Sequence, residues 1–137
     1  MKFKVLKTLI EDGLPPEWAD RGVFFHPGPD DPDQPVDWLV VLTVDGGLGL
    51  MLDGLLDNVS WQVRVAGPQN MYEDAEDLAL AIDKVLMSFI PKRVEDLLIT
   101  TVYRVGGQPQ QFVVDDAERT QFVCSYYFDV ESELPPI

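Results

Sequence analysis

The chain has 137 residues, and ten lysines and arginines against 24 aspartates and glutamates give it a formal net charge of −14. A surface of that sign repels phosphate backbones, which excludes tight non-specific binding to nucleic acid. One cysteine and one histidine exclude an intramolecular disulfide and multi-cysteine metal sites, and they remove most zinc chemistry. The longest apolar runs are far too short to span a membrane, so we expect one globular domain over residues 1–137 that is synthesised in the cytoplasm.

The N-terminal part of the chain predicts one helix followed by an irregular segment. Apolar residues at helical spacing over 3–10 indicate an N-terminal helix, which ends at Gly13 because two prolines follow. Residues 14–37 hold six prolines and six acids, and this composition is typical of an irregular surface segment. Within it we expect a short strand at 22–25 and an acidic, proline-rich loop at 26–37.

Two predicted strands flank an unusually apolar segment, the Leu-rich arm of residues 46–57. Residues 38–44 are apolar on both faces, as in a central strand, and residues 59–65 alternate as a half-buried strand does. Connecting segments are normally polar, whereas the arm is rich in leucine. Either it is a hairpin or helical turn folded over its own core, or it is an apolar interface with a partner subunit. The candidate interface residues are Leu48, Leu50, Met51, Leu52, Leu55 and Leu56.

Residues 71–90 predict the clearest helix of the chain. Asn70 is placed as its N-cap, with Glu73 three residues later to complete a capping pair, and Pro91 ends it. Several acids occupy its first turns, where the helix dipole favours negative charge. Its apolar side chains form one stripe, so we expect the helix to cover one face of a sheet.

Three further strands complete the predicted sheet, as an antiparallel meander that leads to a short C-terminal tail at 131–137. The strands are expected at 97–105, 111–115 and 119–130, with turns at Gly106-Gly107 and at Asp115 to Ala117. The fold class is therefore α+β: an antiparallel β-sheet flanked by an N-terminal helix and one long amphipathic helix.

No group of residues in the sequence meets the requirements of a ligand or catalytic site. The segment from Gly46 to Gly49 lacks the lysine and the hydroxyl residue of a phosphate loop, and a flexible hairpin connection is expected there. A predicted hairpin tip does not provide the burial that raises a carboxylate pKa, which argues against acid–base chemistry at Asp115, Asp116 and Glu118. The acids of the 26–37 loop do not have the spacing of an EF-hand; they are Asp30, Asp31, Asp33 and Asp37.

The single histidine and the single cysteine both have structural explanations. His26 lies beside Phe25 and Pro27 and is expected at the surface or half packed. Cys124 shares a strand face with aromatic residues, which indicates an inert core thiol. We therefore predict that the protein is not an enzyme and has no catalytic, cofactor-binding or metal-binding residues.

Six stretches of the sequence, taken in order, form a pattern of elements; they are Trp38–Leu42, Val59–Gly67, Asp74–Asp83, Val105–Pro109, Asp116–Arg119 and Phe122–Phe128. This pattern covers about residues 38–130 and resembles the tail-terminator proteins of long-tailed phages, especially those of actinobacterial hosts. The stretches are not a catalytic signature. The arm is a departure from the family pattern to which the resemblance assigns no role.

The resemblance implies a structural subunit of a virion, without enzymatic activity or cofactor. Such a subunit forms a hexameric ring that stops growth of the tail tube and joins the tail to the head. Its partners are then copies of itself, the major tail-tube protein and the head-completion or connector protein. It would reside in the host cytoplasm during assembly and afterwards in the tail and neck of the virion, with no membrane contact.

The acidity of the chain suits a ring of this kind. DNA would only pass through the lumen, and an acidic wall gives it little sequence-independent attraction. Ring contacts would be heterologous, each subunit presenting two different surfaces to its neighbours. We expect the arm to supply an interface and the acids of 30–37 to face solvent or the edge of the ring.

Three alternatives stay open at the level of sequence. A head-completion or connector protein of the same neck region shares the size and the ring symmetry. An acidic binding module that mimics DNA would instead occupy a basic protein and be released at high salt. A small enzyme that uses aspartate and glutamate would lose its turnover when Asp30, Asp31, Asp115 or Asp116 is replaced.

Overall fold

The computed structural model describes residues 1–51, 56–88, 91–95, 97–112 and 119–132. The helices in this part of the chain are α1 (Phe3–Gly13), α2 (Pro16–Asp20) and α3 (Tyr72–Met87). Its strands are β1 (Phe24–Pro27), β2 (Leu39–Met51), β3 (Leu56–Ala66), β4 (Lys92–Val94), β5 (Leu97–Phe112) and β6 (Gln121–Ser132). Within these described ranges, no helix has the length and hydropathy needed to cross a membrane.

The strands form one mixed sheet in the order β1-β2-β3-β6-β5-β4. Pairing between β1 and β2 is parallel, and the other neighbouring strands pair antiparallel. The α+β class and the two flanking helices are therefore confirmed. The predicted antiparallel sheet gains one parallel pairing, because the chain crosses from β1 to β2 through the acidic loop rather than through a hairpin.

The core lies between one face of the sheet, here called the inner face, and the helices α1 and α3. The apolar stripe of α3 and the inward side chains of β6 are buried together, as the periodicity predicts. The most deeply buried residues of this core include Leu6, Ile10, Val40, Leu42, Leu78, Ile82, Leu86, Ile99, Tyr126 and Phe128. On the outer face, Leu39, Val41 and Ala66 form a second buried cluster covered by Val36, so the start of β2 is apolar on both faces as expected.

The segment 14–37 is more regular than its prolines suggest. It contains α2, which starts at Pro16 because a proline at the first helical position needs no N–H partner. Trp18 of α2 is buried edge-to-face against Trp38, with ring centroids 5.5 Å apart. The predicted strand at 22–25 forms two residues later, as β1.

The predicted turn at Gly106-Gly107 is wrong, because β5 continues through both glycines. Gly106 has a φ of +79°, and the pairing with β6 shifts register between Val105 and Gln110. The glycines therefore form a bulge inside one strand, and β5 and β6 pair directly in place of a three-stranded meander. The expected turn at 115–117 lies outside the described residues, as do tail residues 133–137, whereas Glu131 and Ser132 belong to β6.

The predicted N-cap of the long helix is also wrong. Asn70 has a φ of +65° in a turn closed by a bond from the Met71 N–H to the Pro68 carbonyl. Asparagine tolerates this left-handed conformation, and Met71 then takes the N-cap position without a side-chain bond. The helix itself is confirmed over 72–87 of the predicted 71–90.

Replacement of Leu86 with alanine tests how much the packing of α3 against the sheet stabilises the fold. Leu86 is fully buried, so Leu86→Ala is expected to lower the free energy of unfolding by about 2–5 kcal/mol in urea denaturation. The matched control is Leu80→Ala, because Leu80 lies on the same helix and is 38% exposed. Its cost is expected to stay near 0.5 kcal/mol or below, and equal costs for the two variants would contradict this packing.

Candidate functional site

The two lateral edges of the sheet, here called its sides, are only partly covered by neighbouring strands. β1 covers Leu39–Leu42 of β2, and the rest of that strand has β3 as its only strand neighbour within the described residues. On the opposite side, β4 covers Leu97–Ile99 of β5, and residues 101–112 have only β6 beside them among the described strands. Unpaired backbone groups of this kind are a template for pairing with another chain. The sides therefore provide two different surfaces for association.

Most of the Leu-rich arm extends the hairpin of β2 and β3. The flexible connection expected at Gly46 to Gly49 is wrong, because Gly46 pairs with Ser60 and Gly49 with Asn58, with register shifts on either side. Of the six candidate interface residues, four lie on strands: Leu48, Leu50 and Met51 on β2, and Leu56 on β3. Leu52 and Leu55 lie outside the described residues. The arm's role as an interface stays a prediction.

The acidic loop is exposed and packs across the outer face. A Cβ atom at Gly28 would lie 1.8 Å from the hydroxyl of Thr43, so only glycine lets the chain leave β1 this close to β2. Farther on, Asp31 pairs with Arg64 of β3, and Arg64 also donates to the Gln121 side chain at 3.0 Å. The remaining acids of the loop, Asp30, Asp33 and Asp37, are exposed.

His26 lies on β1 and is half-buried, with its ring stacked on Phe24 at 6.1 Å between centroids. It borders the open side of the sheet, which makes it a surface residue of the candidate contact. The predicted acid cluster Asp115, Asp116 and Glu118 falls outside the described residues.

A polar cluster joins α3 to the inner face of the sheet beneath the β5 bulge. Asp83 is 7% exposed and accepts a hydrogen bond from the Tyr126 hydroxyl at 2.7 Å and another from the Arg104 guanidinium at 2.6 Å. The two donors satisfy both carboxylate oxygens, which offsets the cost of burying the charge. The cluster therefore fixes the position of α3 over β5 and β6.

The electrostatics of this cluster keep the Tyr126 hydroxyl and the Arg104 guanidinium protonated. Burial, reinforced by the bond to Asp83, raises the pKa of Tyr126 far above its ordinary value, so the hydroxyl stays a donor. The hydrogen bond to Asp83 likewise raises the pKa of Arg104. Groups locked in this way hold structure and are poorly suited to proton transfer near neutral pH.

Cys124 lies at the edge of an open cavity of about 370 Å³ between the β5 bulge and β6. Burial raises the pKa of the Cys124 thiol above its ordinary value. A cysteine nucleophile needs the opposite shift, and Cys124 is buried, as expected for a core thiol; that the thiol is inert stays a prediction.

The sequence reasoning missed Asp83 and the open sides of the sheet. Tyr126 gave a signal for the first, since a tyrosine on a core-facing strand position needs a partner for its hydroxyl. Asp83 lies four residues after buried Ala79 and three before Leu86, which places a carboxylate on the apolar stripe. The open sides depend on strand order, for which the local sequence carries no signal.

No family model and no curated protein matches the chain. Solved structures of 22 chains match it. One of them, whose name states neither an activity nor a source, covers 100% of this chain and 99% of its own length, with a TM-score of 0.58 and 17% sequence identity. At that identity the similarity shows the fold alone, over the full length of both chains.

The contribution of the Tyr126 hydroxyl to stability is tested by measuring Tyr126→Phe and the wild type at pH 8 and at pH 11. At pH 8 the variant is expected to lose about 1–2 kcal/mol of unfolding free energy, because Asp83 loses one donor. In the unfolded chain a tyrosine ionises near pH 10, whereas the folded pKa lies higher, so wild-type stability falls as the pH rises past about 10. The difference between the two proteins should therefore shrink by about 1.4 kcal/mol from pH 8 to pH 11 in urea titrations.

Tyr127→Phe is the matched control, because Tyr127 lies on the outer face of the same strand and stacks on Tyr103 with 5.2 Å between the ring centroids. It is expected to cost less than Tyr126→Phe at pH 8. A Tyr126→Phe penalty that grows above pH 10 would contradict the raised pKa.

Proposed function

We propose that the chain is a non-enzymatic structural protein of a phage virion, a subunit of a hexameric ring that ends the tail tube and joins it to the head–tail connector. The observation that carries this proposal is the pair of different, partly unpaired sides on one sheet. Residues 43–51 of β2 border one side, and residues 101–112 of β5 border the other. A surface on each side favours contacts that repeat from copy to copy.

The strand directions allow the β5 side of one copy to meet the β2 side of the next when the two copies are related by rotation. Antiparallel pairing alternates from β2 through β3 and β6 to β5, so β2 and β5 run in opposite directions. Rotation about an axis roughly along the strands therefore brings the β5 side of one copy beside the β2 side of the next, with those two strands antiparallel. Heterologous contacts of this kind close into a ring when the rotation angle divides a full turn.

The surface charge suits a ring through which DNA passes. The formal charge is −14, and the acids of the 30–37 loop are exposed. A lumen of that sign would not hold the phosphate backbone. The resemblance of residues 38–130 to tail terminators adds the hexameric state, the tail-tube partner and the connector partner to the proposal.

The proposal is tested by adding the purified, gold-labelled chain to tubes polymerised from the major tail-tube protein of a long-tailed phage whose genome encodes this chain. Electron microscopy should show label at one end of each tube, and those tubes should stop growing. Label along the tube walls, or none, would contradict a terminator. Capture by the head-side connector ring alone would favour the head-completion alternative, and salt-sensitive capture by a basic DNA-binding protein would favour the DNA mimic.

A variant with two charges in the arm tests its assignment as an interface. Leu50→Asp combined with Leu52→Asp is expected to weaken self-association at least tenfold in sedimentation velocity, because an aspartate in an apolar contact is costly to bury. Leu80→Asp, on the exposed side of α3, serves as the control and should associate as the wild type does. If the arm variant keeps its melting temperature and still associates normally, the arm is not an interface.

A further inference from the structure

The partly paired sides of the sheet have complementary outlines. β1 covers only the first part of β2, and β4 covers only the first part of β5. Because β2 and β5 run in opposite directions, these two short strands lie at opposite ends of the sheet. Each side of the sheet therefore has a notch one strand wide, here called a step, where the short outer strand ends and the longer strand beside it is left uncovered by the described strands.

The register gives the height of each step. Residues that pair in succession across the sheet lie at one level, and His26 of β1 reaches the level of Gln110 through Val41, Arg64 and Val123. In the same way, Lys92 of β4 reaches the level of Leu50 through Ile99, Val130 and Asp57. At the levels where β1 pairs with β2, the described part of β5 has no outer strand neighbour. At the levels where β4 pairs with β5, the described part of β2 has none either.

We propose that neighbouring copies of this chain interlock through these steps. β1 of one copy and β4 of the next would lie end to end in one strand position, here called the lane, between β2 of the first copy and β5 of the second. β1 would pair antiparallel with the neighbour's β5, and the neighbour's β4 would lie parallel to β2. The flanking strands would stand about 9.5 Å apart, which is two strand spacings. This inference rests on the proposed ring, because only contacts that repeat from copy to copy bring the two sides together.

Charge complementarity favours a second copy as the occupant. The neighbour's β4 brings Lys92 and Arg93, both exposed, beside the hairpin of β2 and β3. On that hairpin Asp57 pairs with Leu50 and so lies at the level of Lys92, and residues 43–57 contain no lysine or arginine. At the other end of the lane, residues 105–112 of β5 are uncharged, so they do not repel the acidic loop that follows β1. Opposite charges at one end and no like-charge contact at the other favour this pairing.

Exposed apolar side chains border the middle of the lane, which neither short strand reaches. Val44 of β2 is 56% exposed and Val105 of β5 is 47% exposed. Through the register, Val44 is level with Tyr126 and Val105 with the adjacent Ser125, so the two valines lie at neighbouring levels on opposite sides. Val44 pairs with core-facing Trp61 and lies on the inner face, whereas Val105 pairs with Ser125 on the outer face, so an interlocked neighbour would shield each valine from water on its own face of the sheet.

Cysteine cross-linking tests the lane. His26 and Gln110 are level and lie on the outer face, so a variant with His26→Cys and Gln110→Cys places two thiols within disulfide reach of each other in adjacent copies. Mild oxidation of the full chain should give a ladder of multiples of 15.4 kDa on a non-reducing gel, ending at six chains. The native Cys124 is buried and stays in every variant.

Two controls make the result specific. His26→Cys with Thr101→Cys uses the same strand and the same face, but Thr101 lies about 20 Å farther along the sheet, level with Asp129. This control and each single-cysteine variant should give no species larger than a dimer. A ladder of equal height from the Thr101 control would overturn the lane.

The remaining outcomes separate the lane from the ring. A six-chain species in the uncross-linked protein without a ladder from His26→Cys and Gln110→Cys would overturn the lane and leave the ring to other surfaces. A ladder that grows past six would support the lane and contradict the hexameric ring. No ladder and no association at any concentration would overturn both.

Discussion

The uninterrupted pairing of β3 with β6 is the constraint on which the rest of the molecule depends. Eleven consecutive residues, Leu56–Ala66, pair antiparallel with Gln121–Glu131 without a register shift, whereas β2 and β5 outside them both contain irregularities. Because side chains alternate across a strand, this register decides which residues of β6 face the helices. A slip of one residue would turn Phe122, Tyr126 and Phe128 to the outer face and remove the core.

The same ladder sets the geometry of both the buried polar cluster and the proposed contact between copies. It places the Tyr126 hydroxyl under Asp83 of α3, where Arg104 provides the second donor from β5. It also sets where β1 and β4 lie along the sheet relative to each other, because β3 and β6 stand between the two halves of the strand order. Stability and the proposed association thus depend on the same ladder. The buried cluster holds α3 on the inner face, and the strands outside it end in steps that a neighbouring copy can fill.

Much of the fold could be predicted from local sequence, and the exceptions have physical reasons. The periods of 3.6 and 2 gave α1, α3, β3 and β6, because these elements bury one face. Gly106-Gly107 indicated a turn, yet long-range pairing with β6 carried β5 through them as a bulge. Asn70 was assigned by residue type, whereas its positive φ depends on the turn that starts at Pro68. The candidate site was harder to predict, since the open sides follow from strand order, which depends on contacts far apart in the sequence.

The central claim is that the sides of this sheet join copies of the chain into a closed ring of six. Light scattering of the purified, unmodified protein over a wide concentration range measures this directly. The account predicts a species of six 15.4 kDa chains, about 92 kDa, whose mass stops increasing once it has formed. A mass of 15.4 kDa at every concentration, or a mass that grows without limit, would contradict it.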